Sequence, residues 1–189
     1  GEAVGEVLLG RDAAMQFISL ESAKSADLQA ALPMPASLAV VRLKPLPGNA
    51  FISVEPGLLL TLLDGFFGGS GRANTDAQAA IAPAAQRFLA LLLRSFAAGL
   101  TAAWATVTPL GRELVKQETN PRLVQLGAAN ESLLVLKFNV EFGARSGRID
   151  WLLPESLLAP VREALAADGG RTALRPQEAW APVISTALQ

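Results

Sequence analysis

The run Gly68-Gly69-Ser70-Gly71-Arg72 combines residue types that could bind a ligand through the backbone. Because glycine has no side chain, the amides of such a run are open to a phosphate or to a partner protein. A Walker loop needs GxxxxGK followed by serine or threonine. This run reads GGxG, lacks the lysine and follows an apolar helical segment, whose C-terminus would repel phosphate. A nucleotide-binding or small-ligand module is therefore a disfavoured alternative.

Phe66 and Phe67 directly precede the glycine run, while residues 68–80 contain almost no bulky side chain. Open backbone amides beside two apolar anchors suit a contact with another protein. The plainer alternative is that Gly68 and Gly69 only end a helix and that the phenylalanines belong to the core. We expect the glycines to end a helix and at least one phenylalanine to be buried.

The composition excludes several classes of function. The sequence contains no histidine, cysteine or tyrosine, so histidine triads, cysteine nucleophiles, structural zinc sites and iron–sulfur clusters are impossible. The net charge of −1 without a basic patch disfavours nucleic acid as a partner. No apolar run reaches the ~18 residues of a membrane helix, and no signal peptide is recognisable. The absence of cysteine fits a reducing compartment, and we expect neither a metal nor a cofactor.

The segment Glu118-Thr119-Asn120-Pro121 could be taken for a polar catalytic cluster. A carboxylate beside an amide is also the usual chemistry of a capped turn, and the asparagine–proline step ends a strand. We therefore predict that these side chains cap a turn. A carboxylate pair for glycoside-type chemistry would need proximity in the folded chain, and nothing in the sequence nominates such a pair.

The order of elements is repeated along the chain. Residues 38–55 predict a hairpin, followed by a helix that begins at Pro56 and ends at Gly68-Gly69. Residues 132–170 show the same order, with a turn at residues 143–147 and a helix opened by Pro154-Glu155. We therefore expect two pseudo-equivalent units that share one sheet. The predicted fold class is α+β, a mainly antiparallel sheet flanked by helices.

Further elements connect and precede these units. A long helix is predicted from about Pro83 to Trp104 because apolar residues recur at helical spacing. A strand is expected from Arg112 to Glu118. Near the start of the chain, Met15 to Leu20 is predicted as a strand and Ser25 to Leu32 as a short helix. A last short helix is expected near residues 180–188.

Several segments, in this order, closely resemble the middle domain of the flagellar motor switch protein family FliM. Each motif alone is weak, but the ordered set is specific and covers roughly residues 13–168. The segments are Leu32-Pro33-Met34-Pro35-Ala36-Ser37-Leu38, Arg42-Leu43-Lys44-Pro45-Leu46-Pro47-Gly48, Leu63-Asp64-Gly65-Phe66-Phe67-Gly68-Gly69-Ser70-Gly71-Arg72, Gln86-Arg87, Ala103-Trp104, Glu118-Thr119-Asn120-Pro121, Gly147 and Pro154 with Leu158-Ala159-Pro160-Val161-Arg162.

The resemblance implies a three-layer α/β/α domain with pseudo-twofold symmetry, of the CheC-like type. It also implies a non-enzymatic scaffold in the cytoplasmic ring of the flagellar rotor, at the inner face of the inner membrane, which transmits the chemotaxis signal that sets the rotation direction. The implied partners are FliG, neighbouring FliM copies and, in the full-length protein, FliN; phosphorylated CheY is left open. By motif match the FliG contact comprises Phe67, Gly68, Gly69, Ser70, Gly71 and Arg72.

The resemblance also sets expectations for the rest of the chain. Residues 1–12 are expected to be an N-terminal segment, the end of a truncated helix. Residues 169–189 are expected to be a linker and short helix leading to a further domain. Where the family carries an acidic, threonine-bearing segment, this sequence has the alanine-rich residues 80–85, which puts any charged contact there in doubt.

A phosphatase is the main alternative within the same fold. CheC-type enzymes dephosphorylate CheY with a glutamate and an asparagine three residues apart on a helix, which orient a water molecule. At the matching helix starts this sequence has Gln86 with Leu89, and Glu155 with Leu158. Because the positioning pair is missing from both helices, phosphatase activity is disfavoured.

Overall fold

The computed structural model describes residues 13–69, 82–104, 109–128 and 130–167. Strands and helices alternate in short groups along these ranges. In chain order the elements are β1 (Ala13–Lys24), α1 (Ser25–Ala31), β2 (Ser37–Lys44), β3 (Ala50–Val54), α2 (Pro56–Phe66), α3 (Pro83–Trp104), β4 (Gly111–Glu118), a 3-10 turn (Pro121–Leu123), β5 (Ser132–Phe142), β6 (Arg145–Pro154) and α4 (Glu155–Ala167).

The strands form one six-stranded sheet in the order β1-β5-β6-β3-β2-β4, and every neighbouring pair is antiparallel. The two predicted hairpins, β2-β3 and β5-β6, meet through their second strands. A pseudo-twofold axis therefore passes between β3 and β6, near the facing pair Ile52 and Trp151. Superposing Ile52 on Trp151 also places Pro56, where α2 begins, on Glu155, where α4 begins. The structure thus confirms the predicted duplication and the predicted fold class.

The two outer strands share an irregularity at equivalent positions. In β4 a bulge lies opposite Val40–Val41, and in β1 a bulge lies opposite Lys137–Phe138. The pseudo-twofold axis superposes these two pairs. Each bulge leaves one β-branched residue outside the ladder, Val115 in β4 and Ile18 in β1, and both are exposed. Bulges at edges disrupt the ladder and increase the local twist, so neither edge presents a long regular strand.

Both faces of the sheet are covered, but unequally. On one face, α2, α3 and α4 pack on the larger core cluster. On the other, α1 and the segment around Val124 and Leu126 cover a smaller cluster. Alternate strand residues serve the two faces, as the period of β5 predicts: Leu136, Phe138 and Val140 join the larger cluster and Val135 joins the smaller one. The result is an α/β/α arrangement with one thick and one thin helical layer.

Some predicted boundaries were wrong. β1 extends to Lys24 because it pairs with β5 along its whole length, which the polar sequence at its end did not indicate. The turn between β5 and β6 contains only Gly143 and Ala144, because Gly143 has a φ of +58° and the tight hairpin needs no further residues. Pro154 is the last residue of β6, so α4 begins at Glu155. The helix predicted near residues 180–188 lies outside the described residues.

Glu131 ties three distant parts of the chain together, which no local sequence pattern indicates. Its carboxylate accepts hydrogen bonds from the backbone N–H of Ser156 (3.0 Å), at the start of α4, and from that of Ala128 (3.0 Å). It also accepts from the Ser156 hydroxyl. Its carbonyl accepts from the backbone N–H of Ser25, where α1 begins. Burial raises the pKa of Glu131, but the hydrogen bonds from Ser156 and Ala128 outweigh burial and lower it overall.

The substitution Glu131→Gln should lower the free energy of unfolding by about 1 kcal/mol at neutral pH, because a helix start loses its charged acceptor. Since the pKa of Glu131 is lowered on folding, its stabilisation is complete above the ordinary value of 4.5 and is lost as the pH falls through the folded value. Urea unfolding at pH 7 and pH 3.5 should therefore show a smaller difference between wild type and variant in acid. The exposed Glu141→Gln is the control, and an equal loss there would contradict the role of Glu131.

Gly147 lets α2 approach the sheet. A Cβ atom at this buried position would lie 2.5 Å from Cβ of Leu58, an atom that cannot move without the helix. We predict that Gly147→Ala lowers the free energy of unfolding by about 1–3 kcal/mol, as overpacking does. Gly57→Ala is the matched control because a Cβ there meets no atom within 4 Å, and it should be neutral or slightly stabilising. Urea midpoints that fall equally for both variants would show that the close packing of α2 on Gly147 does not contribute to stability.

Candidate protein-binding surface at the end of α2

The helix α2 begins in the core and ends at the surface. Pro56 occupies its first turn, and the five residues from Leu58 to Leu62 are all buried. Within this buried stretch the Thr61 hydroxyl donates to the carbonyl of Gly57 (2.9 Å), which satisfies its polar atom inside the helix. From Leu63 onward the side chains become progressively more exposed. Packing in the core therefore fixes the axis of α2, and the last turn of the helix lies at the surface.

The glycines end the helix by a complete Schellman motif. Gly68 has a φ of +83°, a left-handed conformation that residues with a Cβ rarely adopt. Its N–H donates to the carbonyl of Gly65 (3.0 Å), and the N–H of Gly69 donates to the carbonyl of Asp64 (2.8 Å). These two bonds satisfy carbonyls that would otherwise lack a partner at the helix end. The predicted helix stop at Gly68-Gly69 is confirmed.

The two phenylalanines at this end have different surroundings. The ring of Phe66 packs against that of Phe88 on α3, with centroids 5.2 Å apart, and is 45% exposed. Phe67 contacts only Phe66 among the described aromatic rings, edge to face at 5.5 Å, and is 74% exposed. Phe66 therefore contacts the Phe67 ring on one side and leaves most of it exposed. Neither ring is buried, so the expectation that at least one belongs to the core was wrong.

Two glycines at this end of α2 allow neighbouring side chains to lie very close to the backbone. A Cβ at Gly65 would collide with the ring of Phe142 on β5, so glycine allows the last turn of α2 to lie on that ring. A Cβ at Gly69 would collide with the carboxylate of Asp64, which lies close to the Gly69 backbone. The spacing of residues in the sequence predicts neither contact, because each depends on where a neighbouring side chain lies in the folded chain.

Of the six residues predicted for the contact, the structure describes three. Phe67, Gly68 and Gly69 lie together at the end of α2 and are all exposed. Ser70, Gly71 and Arg72 lie outside the described residues, and so do the first two residues of the alanine-rich segment 80–85. The described part of this surface is thus one exposed aromatic ring beside two glycines.

The polar segment after β4 is a capped turn, as predicted. One carboxylate oxygen of Glu118 accepts from the backbone N–H groups of Thr119 (3.0 Å) and Asn120 (3.1 Å). The side chain of Asn120 accepts from the N–H of Arg122 (3.1 Å) and caps the 3-10 turn that begins at Pro121. These acceptors are engaged with the backbone, so this segment is not arranged for catalysis.

The positions at which a CheC-type phosphatase would need its asparagine are occupied by core residues. Leu89 on α3 and Leu158 on α4 are both buried in the larger core cluster. Even a polar side chain at either position would point into that cluster. Among the residues that the structure describes, no group of three acidic side chains could hold a metal ion. No helix in the same ranges is long and apolar enough to cross a bilayer.

Sequence comparison identifies the family. The family model of the flagellar motor switch protein FliM matches residues 7–168. The flagellar motor switch protein FliM of Pseudomonas aeruginosa is 30% identical over 160 residues, which is 85% of this chain and 50% of that protein. The chain therefore spans about half the length of the relative it matches.

Solved structures agree. The FliM middle domain of Vibrio alginolyticus has a TM-score of 0.74 and 28% identity, with 84% of this chain and 89% of that chain covered. The chain aligned from the FliG–FliM complex of Helicobacter pylori has a TM-score of 0.75 over 84% of this chain and 88% of that one; at 21% identity it supports the fold alone. The resemblance seen in the sequence is confirmed: this chain belongs to the flagellar motor switch protein FliM family.

Proposed function

We propose that this chain is the middle domain of a rotor scaffold and that it binds FliG through the end of α2. The observation that carries the proposal is the exposed Phe67 ring, held beside the Gly68-Gly69 backbone by the Schellman cap. Exposed aromatic anchors next to accessible backbone are typical of binding hot spots. A related protein from Helicobacter pylori forms a FliG–FliM complex, which supports FliG as the partner.

The wider role follows from family membership. We propose that residues 13–168 form the middle domain, between an N-terminal segment at 1–12 and a linker at 169–189. Copies of the domain stand side by side in the cytoplasmic ring at the inner membrane, and the full-length protein also binds FliN. The domain passes the chemotaxis signal on to FliG without catalysis. Two buried leucines, Leu89 and Leu158, support a scaffold over a phosphatase because they stand where the catalytic asparagine would be needed.

The substitution Phe67→Ala tests the contact most directly. Because the ring is 74% exposed, its removal should leave the urea midpoint unchanged while weakening FliG binding at least ~30-fold in calorimetry, the loss expected for a hot spot. Leu123→Ala is the matched control: Leu123 is 65% exposed, but it lies in the 3-10 turn at the other layer of the sheet. Its removal should change neither stability nor affinity.

A second variant separates the backbone from the side chain. Gly68→Ala places a Cβ at a φ of +83° and should cost about 1–2 kcal/mol of stability, with weaker FliG binding because the cap shifts. Circular dichroism establishes that the variant is folded before binding is measured. If Phe67→Ala binds FliG as tightly as the wild type does, the contact lies elsewhere on the domain.

A further inference from the structure

A cleft of about 320 Å³ opens at the edge of the sheet, between α3 and β4. It lies on the thick-layer side of the domain, away from the end of α2. Its floor is apolar: Val41, Leu93 and Ala97 are buried, and Leu114 is partly buried. Two more of the described lining residues are arginines, Arg94 of α3 and Arg112 of β4.

The register of the sheet explains why Arg112 borders this cleft. Arg112 pairs with Leu43, whose side chain belongs to the larger core cluster, so Arg112 lies on the helix-facing side of β4. The next residue, Glu113, lies on the opposite side and forms an ion pair with Lys44 (3.2 Å). The acid nearest in sequence is therefore directed away from the cleft.

The cleft thus carries positive charge above an apolar floor. Between described residues, no ion pair involves Arg94. Arg112 makes an interaction within the chain, but a guanidinium has five N–H donors and can serve more than one acceptor. Two like charges beside low-dielectric walls attract an anion more strongly than either would alone in water.

We propose that this cleft binds an organic carboxylate whose apolar part lies on Leu93 and Leu114 and whose carboxylate meets Arg94 and Arg112. A carboxylate suits this arrangement because its two oxygens match the fork of a guanidinium. An inorganic anion would leave the apolar floor uncovered. The carboxylate could belong to a free organic acid or to an acidic residue flanked by apolar residues in a peptide. The chemistry is the same, and the two sources are distinguished by experiment.

The test uses hexanoate as the free acid, hexanamide as its uncharged counterpart, and acetyl-Leu-Asp-Leu-amide as the peptide. Titrations followed by amide chemical shifts in NMR report both the affinity and the place of binding. Hexanoate or the peptide should shift the amides of Leu93 to Ala97 and of Arg112 to Leu114, and hexanamide should bind at least ~10-fold more weakly. Affinity should fall as salt is added.

Protein variants complete the test. Arg94→Gln and Arg112→Gln should each weaken binding about 10-fold, whereas Arg87→Gln, at an exposed position two turns earlier on α3, should not. Undisturbed amide dispersion shows that each variant is folded. Peptide binding at least ~10-fold tighter than hexanoate assigns a chain-borne carboxylate; otherwise the free acid is assigned. Equal binding of hexanamide and hexanoate, unchanged affinity in the double variant, or no binding of either carboxylate would overturn the proposal.

Discussion

Four residue pairs between β3 and β6, from Phe51–Leu152 to Val54–Ile149, join the two halves of the sheet. The strand β3 is buried along its whole length, and β6 is buried over its last four residues. Water is excluded from this seam, so an unpaired backbone group there would be costly. Without the seam each half would be a three-stranded sheet with an apolar edge. The shared core beneath α2, α3 and α4 could not close.

The seam also sets the position of the candidate surface. The strand β3 leads directly through Glu55 into α2, and Glu55 exchanges hydrogen bonds with the backbone of Arg148 on β6 (2.9 Å each way). The start of the helix is thus attached to both halves, and Gly147 allows it to lie close to β6. A rigid start and a buried middle leave only the last turn to emerge. This geometry gives Phe67 a defined position at the end of a helix that is anchored in the core.

Local patterns predicted much of this structure because they report on local physics. The alternation in β5, the bounds of α3 at Pro83 and Trp104, and the stop at Gly68-Gly69 all follow from period, proline and glycine. Contacts between distant residues left no such trace. The capping by Glu131, the collision that Gly65 avoids and the exposure of Phe66 each depend on which elements the fold brings together. At the candidate surface, the sequence predicted the residues of a contact but not which ring would remain uncovered.

The matching bulges at Ile18 and Val115 have a mechanical consequence. An unbroken edge strand could hydrogen-bond to the edge strand of a second copy of the domain. A sheet continued in this way would hold the two copies in a single register. In the described part of this chain, both edges are interrupted at symmetry-equivalent points. Contacts made by side chains tolerate small tilts that a hydrogen-bonded ladder does not. In the proposed ring, copies of the domain could therefore pivot against one another while each keeps its own sheet intact.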